Sequence, residues 1–237
     1  MELQELAIVI PTLHEASNIR ELLDRLRRSA DRLGVPYELI VVDDDSRDGI
    51  EAIVGEMSED DPRIRLFVRK GARGLAGAVI HGWQNTDAGL LGVIDGDLQH
   101  PPELLLEMWE ALQTGADVVV ASRYVRHNSL ARWNAFRQVI SRMAIWMTQP
   151  LQKSGVRVSD PMSGFFLVRR PCIQDVCLNQ QGFKILLDIL VRGNVRSVCE
   201  IPYVFGQRRA GSSKASMRVA FEYCLLLANL WRERRRA

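Results

Sequence analysis

The segment LGVIDGDLQHPPE, residues 91–103, carries the clearest sequence indication of the fold. Its apolar start predicts a buried strand that ends at Asp95, whereas His100-Pro101-Pro102 cannot extend a strand but suits the first turn of a helix. Asp95 and Asp97 therefore lie where a strand leaves the core, which is where open α/β sheets bind their ligands. A polar strand exit and a ligand site are both consistent with this stretch alone.

The two aspartates and Gln99 form a pattern of hard oxygen donors. The carboxylates are two residues apart, and the amide oxygen of Gln99 follows at the same spacing. Mg²⁺ and Mn²⁺ prefer such ligands and are commonly shared with substrate phosphates rather than enclosed by protein. The sequence has no His or Cys cluster that would compete for this role. We therefore expect Asp95, Asp97 and Gln99 to hold Mg²⁺ or Mn²⁺.

Composition narrows the class of protein. The chain has 237 residues, 47% of them hydrophobic, which suits one sizeable α/β domain with its own core. Its net charge of +2 argues against a general nucleic-acid binder. The four cysteines show no CxxC spacing, which favours free thiols in a reducing compartment. The N-terminal MELQEL leads directly into a predicted strand, so no signal peptide is expected.

Strand and helix patterns alternate from residue 6 to residue 124. This alternation predicts a parallel sheet with right-handed crossover helices, so the polar clusters at residues 11–15, 43–46 and 95–99 should converge at one edge. The sequence has neither a GxxxxGK[ST] run nor a GxGxxG fingerprint, which disfavours P-loop NTPases and dinucleotide dehydrogenases. The predicted strands are 6–12, 37–46, 64–70, 90–95 and 117–124, and the predicted helices are 15–33, 49–60, 74–86 and 102–115.

Basic residues crowd the region after residue 120. Arg123 follows a predicted strand at the ligand edge. Arg137 and Ser141 are four apart on a predicted helix, where one face can grip a phosphate. Lys184 is expected on an apolar helix, where its burial calls for a phosphate or an acidic partner. For arginines in general, solvated surface is the competing explanation.

A series of segments resembles the dolichol-phosphate mannose synthases in order and spacing, from about residue 6 to residue 216. Those enzymes are inverting family 2 glycosyltransferases with a GT-A fold, a Rossmann-like, mostly parallel α/β sheet flanked by helices. The resemblance implies transfer of mannose from GDP-mannose to a polyprenyl (dolichyl) monophosphate in the presence of Mg²⁺ or Mn²⁺. The segments are VIPTLHEASNI, VVDDDSRDG, GLAGAVIHG, VIDGDLQHPPE, ASRY, DPMSGFFLVRR, GFKILLDIL and IPYVFGQRRAGSSK.

The resemblance also implies roles for individual residues. It makes Asp95, Asp97 and Gln99 the metal ligands. It makes Arg123, Arg137 and Ser141 the contacts of the acceptor phosphate, and the catalytic residues are then Asp97, Arg123 and Arg137. The residues implied to bind the donor nucleotide are Pro11, Leu13, Glu15, Val41, Asp43, Asp95, Gly96, Asp97, Gln99, Lys184, Arg208 and Lys214.

Several interpretations stay open at this point. A related enzyme could use UDP-glucose or another nucleotide sugar, and a catalytically silent subunit could bind nucleotide or lipid for a partner. Asp160 is expected either to accept from a sugar hydroxyl or to cap a turn. Arg208 and Lys214 suit a loop that closes over the diphosphate, or a mobile charged loop without that role. The four histidines are scattered, and we interpret them as structural or surface residues.

Two segments of the C-terminal half combine apolar side chains with arginines. Residues 130–150 and 219–236 resemble interfacial helices that lie on anionic bilayers, although a plain core helix also explains the second. Neither contains the run of about 18 apolar residues that a transmembrane helix needs. We expect peripheral binding to the cytoplasmic face of a membrane. A membrane-anchoring partner, or a transmembrane segment outside this chain, is compatible with the resemblance.

The expected organisation has two parts. A GT-A catalytic domain spans residues 1–216 and includes the interface helix at about 130–150. A C-terminal amphipathic helix with a basic tail follows over residues 217–237.

Overall fold

The computed structural model describes residues 5–124, 145–153, 155–178, 184–204, 227 and 231–232. Strands and helices alternate in the first of these ranges as the sequence predicts. The strands are β1 (Leu6–Thr12), β2 (Tyr37–Asp43), β3 (Ile64–Val68), β4 (Leu90–Ile94), β5 (Val118–Ser122), β6 (Phe165–Arg169) and β7 (Val198–Pro202). The helices are α1 (Ala16–Asp31), α2 (Ile50–Asp60), α3 (Leu75–Gln84), α4 (Leu105–Gln113) and α5 (Ile185–Arg192), with short 3₁₀ turns at Pro102–Leu104 and Arg170–Cys172.

The strands form one seven-stranded sheet in the order β3-β2-β1-β4-β6-β5-β7. β1 to β4 pair in parallel and β5 is parallel to β7, whereas β6 is antiparallel to both of its neighbours. The expected α/β class with a mostly parallel sheet is confirmed. The reversal of β6 was not predicted. As a result, the first residues of β6 lie at the edge where its neighbours end.

Apolar side chains cover both faces of the sheet, because successive residues of a strand point to opposite faces. Ile8 packs with Leu22 of α1 on one face, in a layer that also includes α2 and α4. Val9 packs with Trp83 of α3 on the other face, in a layer that also includes α5. Polar side chains of the central strands therefore reach a ligand only at the strand ends.

The two segments expected at a membrane are described only in part. Residues 145–148 of the first are helical, and Leu227, Trp231 and Arg232 of the second are also helical. The expected domain boundary near residue 216 lies outside the described residues. Within the ranges that the structure describes, no helix combines the length and apolar character needed to span a bilayer.

Candidate active site

Three loops converge at the carboxyl edge of the sheet, as the sequence predicts. The hydroxyl Oγ1 of Thr12 donates to Oδ1 of Asp43 over 3.0 Å, which ties the first loop to the second. A Cβ placed on Gly96 would lie 3.3 Å from Cγ of Glu15, so the third loop packs against the first. We call residues 11–15, 43–48 and 95–99, which follow β1, β2 and β4, the edge loops.

The edge loops also concentrate backbone strain. In the described part of the chain, every non-glycine residue with a positive φ lies in them: His14 at 62°, Asp45 at 55°, Arg47 at 54° and Leu98 at 59°. This left-handed conformation costs roughly 1–2 kcal/mol per residue and persists only where the surroundings enforce it. Such residues cluster at functional sites, and the convergence of these loops is consistent with one.

Asp95 lies against the start of the reversed strand β6. Its amide donates to the carbonyl of Gly164 over 3.1 Å. A Cβ on Gly164 would fall 1.9 Å from Oδ2 of Asp95, so this carboxylate occupies space that a side chain at position 164 would fill. The Asp95 side chain is 30% exposed and can reach a ligand.

The predicted metal ligands supply two carboxylates and one amide. Asp97 is mostly buried. Its Oδ1 accepts a hydrogen bond from the backbone N–H of Gln99 over 3.1 Å, which fixes the turn between the two residues. Nowhere in the described ranges do three His, Cys, Asp or Glu side chains form a complete cage for an ion. Two carboxylates with an amide oxygen are hard donors that suit Mg²⁺ or Mn²⁺. This donor set fits a divalent cation shared with a substrate.

Arg123 is the first residue after β5, and Asp160 holds its guanidinium. Nε donates to Oδ2 and Nη2 donates to Oδ1, each over 2.7 Å, while Asp160 has no exposed surface. Although burial favours the neutral form, these hydrogen bonds raise the pKa of Arg123 above its usual value. Asp160 therefore binds an arginine, a role that sequence patterns did not indicate.

Lys184 immediately precedes α5 and lies near the same charges. Burial, followed by the positive charge of Arg123, lowers the pKa of Lys184, while Asp95 and Asp160 act in the opposite direction. Asp95, Gly164 and Lys184 line the same small cavity. Lys184 therefore lies close enough to Asp95, Asp160 and Arg123 for their charges to affect its pKa.

His100 is a packing residue beside Asp95. Its ring lies 6.2 Å from that of Phe165 and 5.4 Å from that of Tyr203, between centroids. Its Nδ1 is 4.0 Å from Oδ2 of Asp95. Burial lowers the pKa of His100 to about 3, so the imidazole is neutral at pH 7. The structural interpretation of this histidine is confirmed.

The residues predicted to bind the nucleotide lie at different depths. Pro11, Leu13 and Glu15 are partly exposed in the first edge loop. Asp43 is fully buried and also accepts from the amide of Ser46 over 2.7 Å. Val41 is fully buried in the apolar layer around α1, so its side chain lies below the edge loops. Four predicted site residues lie outside the described residues: Arg137, Ser141, Arg208 and Lys214.

Asp44 and Arg69 hold the loop before α3, a role that their sequence patterns do not indicate. Arg69 Nε donates to Oδ1 of Asp44 over 2.7 Å, and the amide of Gly74 donates to Oδ2 over 2.8 Å. Nη2 of Arg69 donates to the carbonyl of Gly74 over 3.0 Å. This buried clamp fixes residues 69–74 beside the second edge loop. The only sequence signal was the second acid in the run VVDDDS.

Comparison with known proteins identifies relatives of the chain. Residues 7–177 match the family described as glycosyl transferase family 2. The chain is 37% identical over 219 residues to the dolichol-phosphate mannosyltransferase of Pyrococcus furiosus. The aligned region covers 92% of this chain and 61% of that protein. It is 34% identical over 237 residues to the dolichol-phosphate mannosyltransferase of Saccharomyces cerevisiae, covering 96% of this chain and 87% of that protein.

Solved structures share the fold. Mannosyl-3-phosphoglycerate synthase from Rubrobacter xylanophilus matches with a TM-score of 0.70 at 17% identity, covering 99% of this chain and 76% of that one. A mannosyltransferase from Pyrobaculum calidifontis, in complex with GDP-mannose and Mn²⁺, matches with a TM-score of 0.62 at 16% identity, covering 98% and 64%. These likenesses confirm a GT-A type of α/β fold. With the family match and the relatives above, they show that the chain belongs to glycosyl transferase family 2.

Proposed function

We propose that this glycosyltransferase moves mannose from GDP-mannose to a polyprenyl (dolichyl) monophosphate, giving polyprenyl-phosphate β-mannose and GDP. The observation that carries the proposal is the identity of 37% and 34% to relatives named dolichol-phosphate mannosyltransferase, over 92% and 96% of this chain. The acidic pair Asp95 and Asp97 and the cations Arg123 and Lys184 support it, because a metal-bound diphosphate and a second phosphate need both kinds of group.

The acceptor would bring its own nucleophile. A phosphate monoester has a second pKa of about 6, so at pH 7 it is largely dianionic and needs no protein base. One phosphate oxygen forms a bond to the anomeric carbon of mannose. The bond from that carbon to the diphosphate breaks, and its electron pair stays on GDP. Attack opposite to the leaving group inverts an α-linked donor to a β-linked product.

The chain's own residues would reduce the repulsion between two anionic substrates. Arg123 would bind the acceptor phosphate through charge-assisted hydrogen bonds, and its contact with Asp160 orients it before the substrate arrives. Lys184 would bind the donor diphosphate. In this proposal Arg137 and Ser141 complete the acceptor site, while Arg208 and Lys214 complete the diphosphate site.

A divalent cation fits the acidic side of the site. Mg²⁺ or Mn²⁺ on Asp95, Asp97 and Gln99 would neutralise charge on the leaving diphosphate. The amide of Gln99 holds Asp97, and the space beside Gly164 accommodates Asp95. The nucleotide would lie along the edge loops, with Pro11, Leu13, Glu15, Asp43 and Gly96 around it and the buried Val41 packed beneath.

Peripheral binding to the anionic, cytoplasmic face of a membrane belongs to the same proposal. Trp146 is 74% exposed and Trp231 is 40% exposed, and together with Met147, Pro150 and Arg157 they line an open groove. Exposed aromatic side chains beside an arginine suit the interface of an anionic bilayer. An anchoring partner, or a transmembrane segment outside this chain, would act in addition to this surface.

A transfer assay tests the proposed function. Purified protein with radiolabelled GDP-mannose, polyprenyl phosphate and Mg²⁺ or Mn²⁺ should produce a labelled lipid with a β-linkage. Unlabelled GDP should compete, and UDP should not. Competition by UDP would favour the UDP-glucose alternative, whereas nucleotide binding without any labelled lipid would favour a silent subunit.

A further inference from the structure

We infer that Glu200 is a positioning residue for the acceptor phosphate, acting on Arg123 through Asp160. The inference rests on the proposed function and concerns a residue outside all the segments that carry the family resemblance. Glu200 lies in β7, the outermost strand beside β5, in register with Val120. Glu200 contacts the backbone at Asp160, and the Asp160 carboxylate contacts Arg123.

In the first step, the Glu200 carboxylate holds two consecutive backbone amides. The amide of Ser159 donates to Oε2 over 2.9 Å, and the amide of Asp160 donates to Oε1 over 3.2 Å. Because each oxygen takes one donor, the peptide between Ser159 and Asp160 cannot rotate without breaking a charge-assisted hydrogen bond. The backbone from which the Asp160 side chain projects is therefore fixed by Glu200.

In the second step, Asp160 determines where Arg123 points. Its two carboxylate oxygens accept from Nε and Nη2 of Arg123, and Oδ2 also accepts from the Arg123 amide over 3.2 Å. Asp160 is fully buried and the Arg123 side chain is 14% exposed, so neither can move without the other. Asp160 contacts the Nε edge of the guanidinium and leaves the Nη1 edge to other partners.

These contacts link Glu200 to Arg123, on the proposed acceptor side of the site. None of them involves the edge loops, where the donor nucleotide is proposed to bind. A guanidinium that is held in advance binds phosphate better than one that must be ordered on binding, and small displacements of such groups are costly. Loss of the hydrogen bonds that the Glu200 carboxylate accepts should therefore weaken binding of the acceptor and leave binding of the donor unchanged.

The test is the variant Glu200→Gln, which keeps the shape but turns an NH₂ group toward one of the two amides. The KM for polyprenyl phosphate should rise about tenfold, the low end of the effect of losing a residue that orients a ligand. The KM for GDP-mannose should change by less than about twofold. Equal changes in both constants, or a change in thermal stability alone, would overturn the inference.

Asp117→Asn is the matched control. Oδ2 of Asp117 accepts from the consecutive amides of Arg196 and Ser197, over 2.8 and 3.1 Å, just before the start of β7. The control thus removes the same kind of contact, a carboxylate that accepts from two consecutive amides, immediately before the same strand. Both KM values should remain at the wild-type level. Glu200→Asp keeps the charge but shortens the reach, and it replaces Glu200→Gln if that variant does not fold.

A double variant tests whether Glu200 acts through Asp160. If it does, Asp160→Asn and the combined Asp160→Asn with Glu200→Gln should have the same acceptor KM, and multiplied effects would overturn the inference. Calorimetric titration with a short polyprenyl phosphate measures binding without turnover. It therefore distinguishes failure of the proposed function from failure of the role inferred for Glu200. Weaker binding by Glu200→Gln, in a protein that transfers no mannose, overturns the proposed function alone. Unchanged binding in an active enzyme overturns this inference alone.

Discussion

Gly164 and Asp95 are in such close contact that a Cβ on Gly164 would lie 1.9 Å from Oδ2 of Asp95. Real Cβ atoms do not approach other atoms this closely, so the contact itself requires glycine. The φ of Gly164 is not in the left-handed region, and backbone conformation is therefore not the reason. The absence of a side chain at Gly164, just before β6, leaves space for the carboxylate of Asp95, the first residue after β4.

Gly164→Ala should displace the Asp95 carboxylate toward solvent. Since a shift of about 1 Å in a positioned group can cost about 10²-fold in rate, turnover should fall by about that factor. Steady-state kinetics and titration with Mn²⁺ measure the effect. Gly89→Ala is the control, because nothing lies within 4 Å of a Cβ at that position. Full activity in Gly164→Ala would show that Asp95 need not occupy its present place.

Removal of divalent cations with a chelator should abolish transfer, and Mg²⁺ or Mn²⁺ should restore it. Asp97→Asn should raise the metal concentration for half-maximal activity by at least about tenfold, because loss of an outer partner alone costs about 10–100-fold. Asp45→Asn serves as the control, since this carboxylate pairs with Arg47 in a neighbouring edge loop. Equal metal requirements in Asp97→Asn and wild type would contradict the assignment.

Lys184→Gln should weaken binding of GDP by about tenfold or more, because a hydrogen bond to a charged group contributes about 1.5–3 kcal/mol. Fluorescence titration with GDP measures the affinity. Lys153→Gln removes a lysine whose Nζ donates to the carbonyl of Gly193 over 2.6 Å, away from the edge loops, and should leave GDP binding unchanged. A similar loss in both variants would point to a general charge effect.

Asp61 should make the stability of the protein depend on acidic pH. Hydrogen bonds from Arg63, over 2.9 and 2.7 Å, lower the pKa of the Asp61 carboxyl. The unfolded chain therefore binds this proton more tightly, so the contribution is complete above the unfolded pKa of about 4 and is lost as pH falls through the folded pKa.

Asp61→Asn should lower the free energy of unfolding by about 1–2 kcal/mol at pH 7. Its stability should also decline less steeply than that of wild type between about pH 5 and pH 3. Urea unfolding at several pH values measures both effects. Glu56→Gln removes an exposed pair with Arg20 and should change little. Parallel declines for Asp61→Asn and wild type would exclude this role of Asp61.

Replacement of Trp146 and Trp231 by serine should lower binding to anionic vesicles by at least about tenfold, because two aromatic side chains no longer enter the interface. Flotation of protein with vesicles measures the binding. The affinity for GDP should not change, since the groove is not part of the edge loops. Arg157→Glu should weaken vesicle binding, and Arg20→Glu on α1 should not.

The sequence was sufficient for the main part of the fold. Apolar runs that end in acids identify parallel strands buried on both faces, so the sequence alone predicts that Asp43 and Asp95 lie at one edge of the sheet. The direction of β6 could not be predicted, because FFLVR is apolar in either orientation. Its direction is set by tertiary pairing with β4 and β5, which no periodic pattern encodes.

The part of the candidate site that could be predicted consists of residues that lie close together in the sequence. Asp95, Asp97 and Gln99 stand in one turn, so their spacing is visible in the sequence. Glu200 and Asp160 are 40 positions apart, so their contact depends on tertiary structure that no local sequence pattern shows. The sequence pattern of β2 predicts the burial of Val41, which the structure shows, while its part in the nucleotide site rests on the resemblance alone.

The ion pair of Arg123 and Asp160 joins two points 37 positions apart, at the exit of β5 and just before the entry of β6. Because β6 is reversed, the end of β5 and the start of β6 lie at the same edge of the sheet. A connection whose two ends are held together by a buried ion pair can change in length or composition at little entropic cost to the strands on either side. Under the proposed function, the acceptor side of the site can thus diverge while the donor side stays intact.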